Sequence, residues 1–114
     1  MIKYFAMTML FIALPKNYTF AQNPSTIISG IIKDAADNNF LPYVNVILKS
    51  AKDSLFISGT VSNVEGRFSI ANISSNDYYL EISFVGCLTL KKAVFVGSLS
   101  DYLDLGTIVL SENM

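Results

Sequence analysis

The sequence predicts an all-β protein, a seven-stranded Greek-key β-sandwich behind an N-terminal export signal. Three observations carry that expectation. Apolar and polar side chains alternate with period two through several short stretches. Clusters of Gly, Asn, Asp and Ser separate those stretches at near-regular intervals. Outside the first 21 residues, no apolar period of 3.6 persists for three turns.

Residues 1–21 read as a signal peptide. Lys3 supplies positive charge, Tyr4 to Leu14 is almost wholly apolar, and Thr19-Phe20-Ala21 resembles a small-x-Ala cleavage site before Gln22. The run is too short for a spanning helix, which needs about 20 residues. An uncleaved N-terminal anchor is the other reading of the same run. No Cys follows the cut, so a lipidated cysteine is not indicated. Residues 22–26 then form a polar leader, 27–111 a single domain and 112–114 a short tail. A domain of that size buries roughly 60 per cent of its unfolded surface around one core.

Ile27 to Lys33 is the first expected strand, followed by the turn-rich connection Asp34-Ala35-Ala36-Asp37-Asn38-Asn39. Pro42 lacks an amide donor and suits the start of a strand. Tyr43 to Ser50 is the second, with Val44, Val46 and Leu48 on one face; Ile47 interrupts the other and implies partial cover. Ala51 to Ser54 turns the chain. The stretch Thr60 to Ile70 reads as the organising hairpin: Ile57, Gly59 and Val61 alternate with Ser58, Thr60 and Ser62, and Phe68 and Ile70 alternate with Arg67, Ser69 and Ala71. Asn63 and Gly66 supply its turn chemistry. Ile73 is expected to plug the bottom of the core. Tyr78, Leu80, Ile82 and Phe84 form the inward row of the next strand, Gly86 bends the chain, and Leu88 to Val96 continues it. Lys91 and Lys92 mark this last strand as a sheet edge, where charge discourages pairing with another chain. After a turn over Gly97 to Tyr102, Leu103 to Leu110 closes the domain.

The bulk composition excludes several functions. Net charge is −1 with eight Lys and Arg against nine Asp and Glu, and no basic stripe is visible, so nucleic acid is not an expected partner. There is no His, which removes the commonest zinc ligand and general base. Asp34, Asp37, Asn38 and Asn39 lack the spacing and the late bidentate Glu of a calcium loop, and read as turn residues. Glu65 and Asp101 are lone carboxylates without a placed partner. Cys87 is the only cysteine, so no intrachain disulfide forms; it reads as a small buried hydrophobe, the alternative being a reactive thiol. Catalytic, cofactor-binding and metal residues are therefore expected to number none. Tyr43, Tyr78, Tyr79 and Tyr102 read as core and rim packing, with a sugar- or peptide-binding surface as the alternative.

Ile28-Ser29-Gly30-Ile31-Ile32-Lys33-Asp34, Leu41-Pro42-Tyr43-Val44-Asn45-Val46-Ile47-Leu48, the Thr60 to Phe68 turn, Tyr78 to Gly86 and the closing Leu103 to Leu110 occur in an order that resembles the carboxypeptidase regulatory-like domain. Cys87 stands where that family usually has an aromatic, Asn63 where Asp is common, and Asn76 where Gly makes a turn. The resemblance implies a transthyretin-like sandwich. Leu48 to Leu55 and Ser83 to Gly86 narrow it to the module ahead of the plug and barrel in TonB-dependent outer-membrane receptors of Bacteroidota. It implies a non-catalytic domain, exported to the periplasm or the periplasmic face of the outer membrane, with a protein partner in the cell envelope, either the barrel or TonB-type machinery. With Met114 where a plug would begin, the expectation is an isolated or truncated form of that module. A small exported carbohydrate- or peptide-binding sandwich is the alternative.

Overall fold

Residues 25–98 and 101–112 are described in a computed structural model. Seven strands run in chain order: β1 (Thr26–Asp34), β2 (Asn45–Ser50), β3 (Phe56–Val61), β4 (Arg67–Ile73), β5 (Asn76–Ser83), β6 (Leu90–Val96) and β7 (Tyr102–Leu110). They form two sheets, one ordered β4-β1-β7 and the other β3-β2-β5-β6. The predicted sandwich is the fold observed. The export signal, its cleavage site and most of the leader lie outside the described residues.

The core is the inward half of each period-two pattern. Ile28 and Ile32 of the three-stranded sheet meet Val46, Leu48, Leu80, Ile82 and Val96 of the four-stranded one, and all seven are fully buried. Burial of such side chains is the main favourable term in folding, about 1.5–3 kcal/mol each. The expected inward row of β5 is correct: Tyr78, Leu80 and Ile82 are buried and Phe84 packs on them. Ile73 is buried at the end of β4, opposite Thr26. β6 is a sheet edge, as its lysines foretold.

The stretch expected to be a hairpin is instead a corner. β3 and β4 lie in different sheets and pair with β2 and β1 respectively. Locally the turn closes as a hairpin would, with the Asn63 N–H donating to Arg67 O at 2.9 Å. Further main-chain bonds lead its two arms into different sheets. The Ser62 N–H donates to Val44 O (3.0 Å) and the Tyr43 N–H to Ser62 O (2.8 Å), holding the first arm to β2. The Ile32 N–H donates to Gly66 O (2.8 Å), holding the second arm to β1. The buried Ser62 hydroxyl fixes the corner, accepting from the Val44 N–H at 2.9 Å and donating to Leu41 O at 2.7 Å. Asn63 works through its side chain: Oδ1 accepts from the Glu65 and Arg67 amides. Gly66 takes the left-handed conformation, φ 74°.

Three boundaries move for local reasons. β2 begins at Asn45, two residues after the expected start, because Tyr43 sits at φ 62° and turns the chain. β6 begins at Leu90, because Cys87 bridges to Glu112 and the Leu88 N–H donates to Ser111 O at 2.9 Å. β4 runs on to Ile73 through the left-handed Asn72 (φ 63°), and β5 begins at Asn76, whose side chain accepts from the Asp77 amide.

Candidate functional site

The parallel pairing of β1 with β7 and the antiparallel pairing of β1 with β4 build a surface that no single stretch contains. Ser29 lies opposite Ser69 on one side and Asp104 on the other, and Ile31 lies opposite Arg67 and Thr107. These residues point away from the core, since Ile28, Gly30 and Ile32 point into it. The result is a groove of about 360 Å³ across the outer face of the three-stranded sheet. Ser29, Ile31, Arg67, Ser69, Tyr102 and Asp104 line it, and the corner residues Val61 and Asn63 close one end.

Its polar groups are partly engaged. Ser29 Oγ donates to Tyr102 Oη at 3.1 Å. Asp104 Oδ1 accepts from the Gly106 N–H at 2.9 Å, an arrangement helped by Gly106 at φ 73°. Arg67 Nε lies 3.6 Å from Glu65 Oε1, with both side chains largely exposed. Arg67, Asp104 and the two serines therefore offer donors and acceptors on an open floor, with the Tyr102 ring beside them. Such a surface can hold a polar, uncharged or zwitterionic group. Among the described residues no three His, Cys, Asp or Glu side chains gather as a metal site.

The residues singled out from the sequence do not converge. Tyr78 is a core residue whose hydroxyl donates to Ser74 O at 2.6 Å. Tyr79 lies on the outer face of the other sheet, its hydroxyl 3.2 Å from Ser54 Oγ and its ring 5.8 Å from Lys91 Nζ. Tyr43 projects from the loop before β2, and only Tyr102 reaches the groove. Asp34 and Asp37 cap their own turn, accepting from the Ala36 and Asn39 amides. Cys87 is half-buried against the core, and burial, followed by the negative charges of Asp34 and Glu112, pushes its thiol up. A thiol in that state is a poor nucleophile. Arg67, Ser29, Ser69 and Asp104 were not foreseen as neighbours, because only the register of three strands distant in sequence assembles them.

The four-stranded sheet presents a different outer face. The Lys49 and Glu81 side chains pair across it at 2.8 Å. Beside them β3 turns Phe56 and Val61 outward, opposite Lys49 and Asn45, and Ile47 of β2 lies opposite Gly59 in the same face, while the exposed Ile57 sits in a bulge between Phe56 and Ser58. Ile47 is half-buried, as its interruption of a polar row implied.

These features define a two-layer, seven-stranded β-sandwich domain with a polar groove on one outer face and an apolar strand edge on the other. The chain belongs to the CarboxypepD_reg-like domain family, whose match spans residues 28–110. No curated protein matches it significantly. Among solved structures it is similar to BcpA, the major pilin subunit of Bacillus cereus, with TM-score 0.63 and 16% identity over 79% of this chain and 31% of the pilin. The group B streptococcus pilus 2b backbone protein gives TM-score 0.59 and 15% identity over 78% of this chain and 42% of that one. Catechol 1,2-dioxygenase from Pseudomonas arvilla C-1 gives TM-score 0.64 and 10% identity over 83% and 54%. The chain thus spans less than half the length of either pilus protein. Likeness at these identities is a likeness of fold.

Proposed function

We propose that this protein is an exported, non-catalytic interaction domain of the cell envelope, of the kind that stands ahead of the plug and barrel in TonB-dependent outer-membrane receptors. The family match over residues 28–110, which coincides with the sandwich, is the observation that carries this reading. The export-type N-terminus and the absence of any histidine support it. Asp34, Asp37, Asp53 and Asp104 accept from amides two residues along their own chain and Glu81 pairs with Lys49, which supports an interaction role.

The test is to express the full chain with a C-terminal tag in a Gram-negative host, fractionate the cells and sequence the N-terminus. The expected product starts at Gln22 and partitions with the periplasm or the outer membrane. An intact N-terminus on cytosolic protein overturns the export reading. The coding sequence beyond codon 114 tests the receptor setting: a plug followed by alternating strands of about ten residues supports it, and a free-standing frame overturns it.

The groove beside Tyr102 favours a second reading, capture of a carbohydrate or peptide. Titration with oligosaccharide and peptide panels, followed by tyrosine fluorescence, is expected to give a saturable change that Tyr102→Ala removes. Silence across both panels overturns it.

A further inference from the structure

The two sheets end in four strand edges, β3 and β6 in one and β4 and β7 in the other. An exposed edge is a template for pairing with another chain, and natural sheets guard their edges with charge, bulges or cover. Three of these four are guarded. β6 carries Lys91 on its outer face and Lys92 at an inward register position, opposite Leu80. β7 carries Asp104 and a register shift against β1 near the left-handed Gly106. β4 opens on Arg67.

β3 is different. Like β7 it carries a register shift, at Ile57 against β2, but its sequence, Phe-Ile-Ser-Gly-Thr-Val, has no charged residue. Leu55 just before it and Phe56, Ile57 and Val61 within it are each between 41% and 63% exposed. Its backbone is available as well. Ser62 directs both its N–H and its C=O toward the β2 side, and main-chain groups alternate along an antiparallel strand. Gly59 and Val61 therefore turn theirs to the free edge.

We propose that β3 is a dimerisation edge, and that its occupant is β3 of a second copy of this chain, paired antiparallel about Gly59. Charge selects this occupant. Self-pairing through β6 sets lysines against lysines and through β7 sets Asp104 near its own copy, whereas a neutral strand meets itself without repulsion. Geometry agrees. A two-fold axis at Gly59 places Val61 opposite Ile57 of the second copy, and reciprocally, so an exposed apolar side chain meets the exposed apolar residue of the bulge. At the centre two glycines face each other. There the Phe56 ring already lies over Gly59, 3.5 Å from where a Cβ would stand. Such an isologous contact is the commonest form of assembly. Four half-exposed apolar side chains and a strand edge from each copy reach the order of 1,000 Å² in total, roughly where specific interfaces begin.

The experiment uses the processed full chain. Size exclusion with light scattering over a hundredfold dilution is expected to give twice the monomer mass, falling toward monomer at the lowest concentration. Amide exchange at Gly59 and Val61 should quicken over the same range. Ile57→Lys should hold the protein at monomer mass throughout with its circular dichroism unchanged, while Phe95→Lys, on the same sheet face beside the β6 edge, should leave the dimer intact. If I57K does not fold, Val61→Lys carries the same test. Monomer mass for the wild type at every concentration overturns the proposal, including the case where the two amides become protected only when envelope proteins are added. A dimer that survives both lysine variants overturns it too, because its contact lies elsewhere.

Discussion

Gly66→Ala is the sharpest probe of the corner that joins the two sheets. Gly66 sits at φ 74°, and a Cβ added there would stand 2.5 Å from Ile32 O and 3.3 Å from the Phe40 Cβ. Ile32 O is not free to retreat, since it accepts from the Leu41 N–H at 3.0 Å, and the Ile32 N–H donates to Gly66 O at 2.8 Å. An L-residue in the left-handed region costs about 1–2 kcal/mol. Loosening the two main-chain bonds adds about 1 kcal/mol each. The sum, about 3–4 kcal/mol, is a large part of the roughly 5–15 kcal/mol that stabilises a small domain. For a domain of this size it lowers Tm by about 15–25 °C. Gly86→Ala is the internal control, because Gly86 is also left-handed (φ 85°) but has nothing within 4 Å of its added Cβ. Both substitutions remove the same unfolded-chain freedom, so their difference isolates the clash. Urea unfolding followed by circular dichroism should separate the two by about 2 kcal/mol. Equal losses in both variants would refute the claim that close backbone approach, and not the turn alone, requires glycine at 66.

Two further substitutions address the corner and the outer sheet face. Ser62→Ala strands the Val44 N–H and Leu41 C=O that the buried hydroxyl now serves, and should cost about 2–4 kcal/mol in urea unfolding; a loss under about 1 kcal/mol would mean that other partners satisfy both groups. The hydrogen bond between Lys49 and Glu81 holds the Glu81 carboxyl below its ordinary value and the Lys49 ammonium above its own. The stability linked to Glu81 is therefore present above the unfolded carboxylate range and lost as pH falls through the folded value, while that linked to Lys49 is lost only as pH rises through its raised value. Glu81→Gln should flatten the decline of the urea midpoint on acidification, and an unchanged slope would show that the pair is too well solvated to matter.

How much of this was legible in the sequence depends on whether the information is local. The alternation of Tyr78, Leu80, Ile82 and Phe84 is a property of one strand, and it located a core row correctly. Lys91 and Lys92 marked an edge because edge protection is written into the strand that needs it. The hairpin reading of Thr60 to Ile70 failed for the opposite reason. Asn63 and Gly66 announce a tight turn, but the turn is equally compatible with paired arms and with arms that part. The choice is made by Val44, Ser62 and Ile32, which lie up to 34 residues from the turn. The groove was invisible on the same grounds. Ser69 reaches Ser29 through the antiparallel pairing of β4 with β1, and Asp104 reaches it only through a parallel pairing of the first strand with the last. A parallel neighbour leaves no signature in either strand's own pattern.

In β3 the same distinction holds: its alternation is local, but alternation does not say which half faces the core. In most strands here the apolar half is inside, so Ile57, Gly59 and Val61 pass naturally for core residues. The register reverses this. Val46 and Leu48 are buried and lie opposite Thr60 and Ser58, so it is the Ser and Thr half of β3 that looks inward and the apolar half that looks out. A strand inverted in this way loses burial energy in the monomer, about 1.5–3 kcal/mol for each large side chain left in water. The other sheet shows no such inversion: β1 puts Ile28 and Ile32 inside and Ser29 outside. The two outer faces are thus built for different contacts, one offering hydroxyls and charges to a small polar group, the other offering uncharged backbone and apolar side chains to a strand. Val61 belongs to both, closing one end of the groove and standing on the β3 edge, so a molecule in the groove and a chain along β3 meet at that residue.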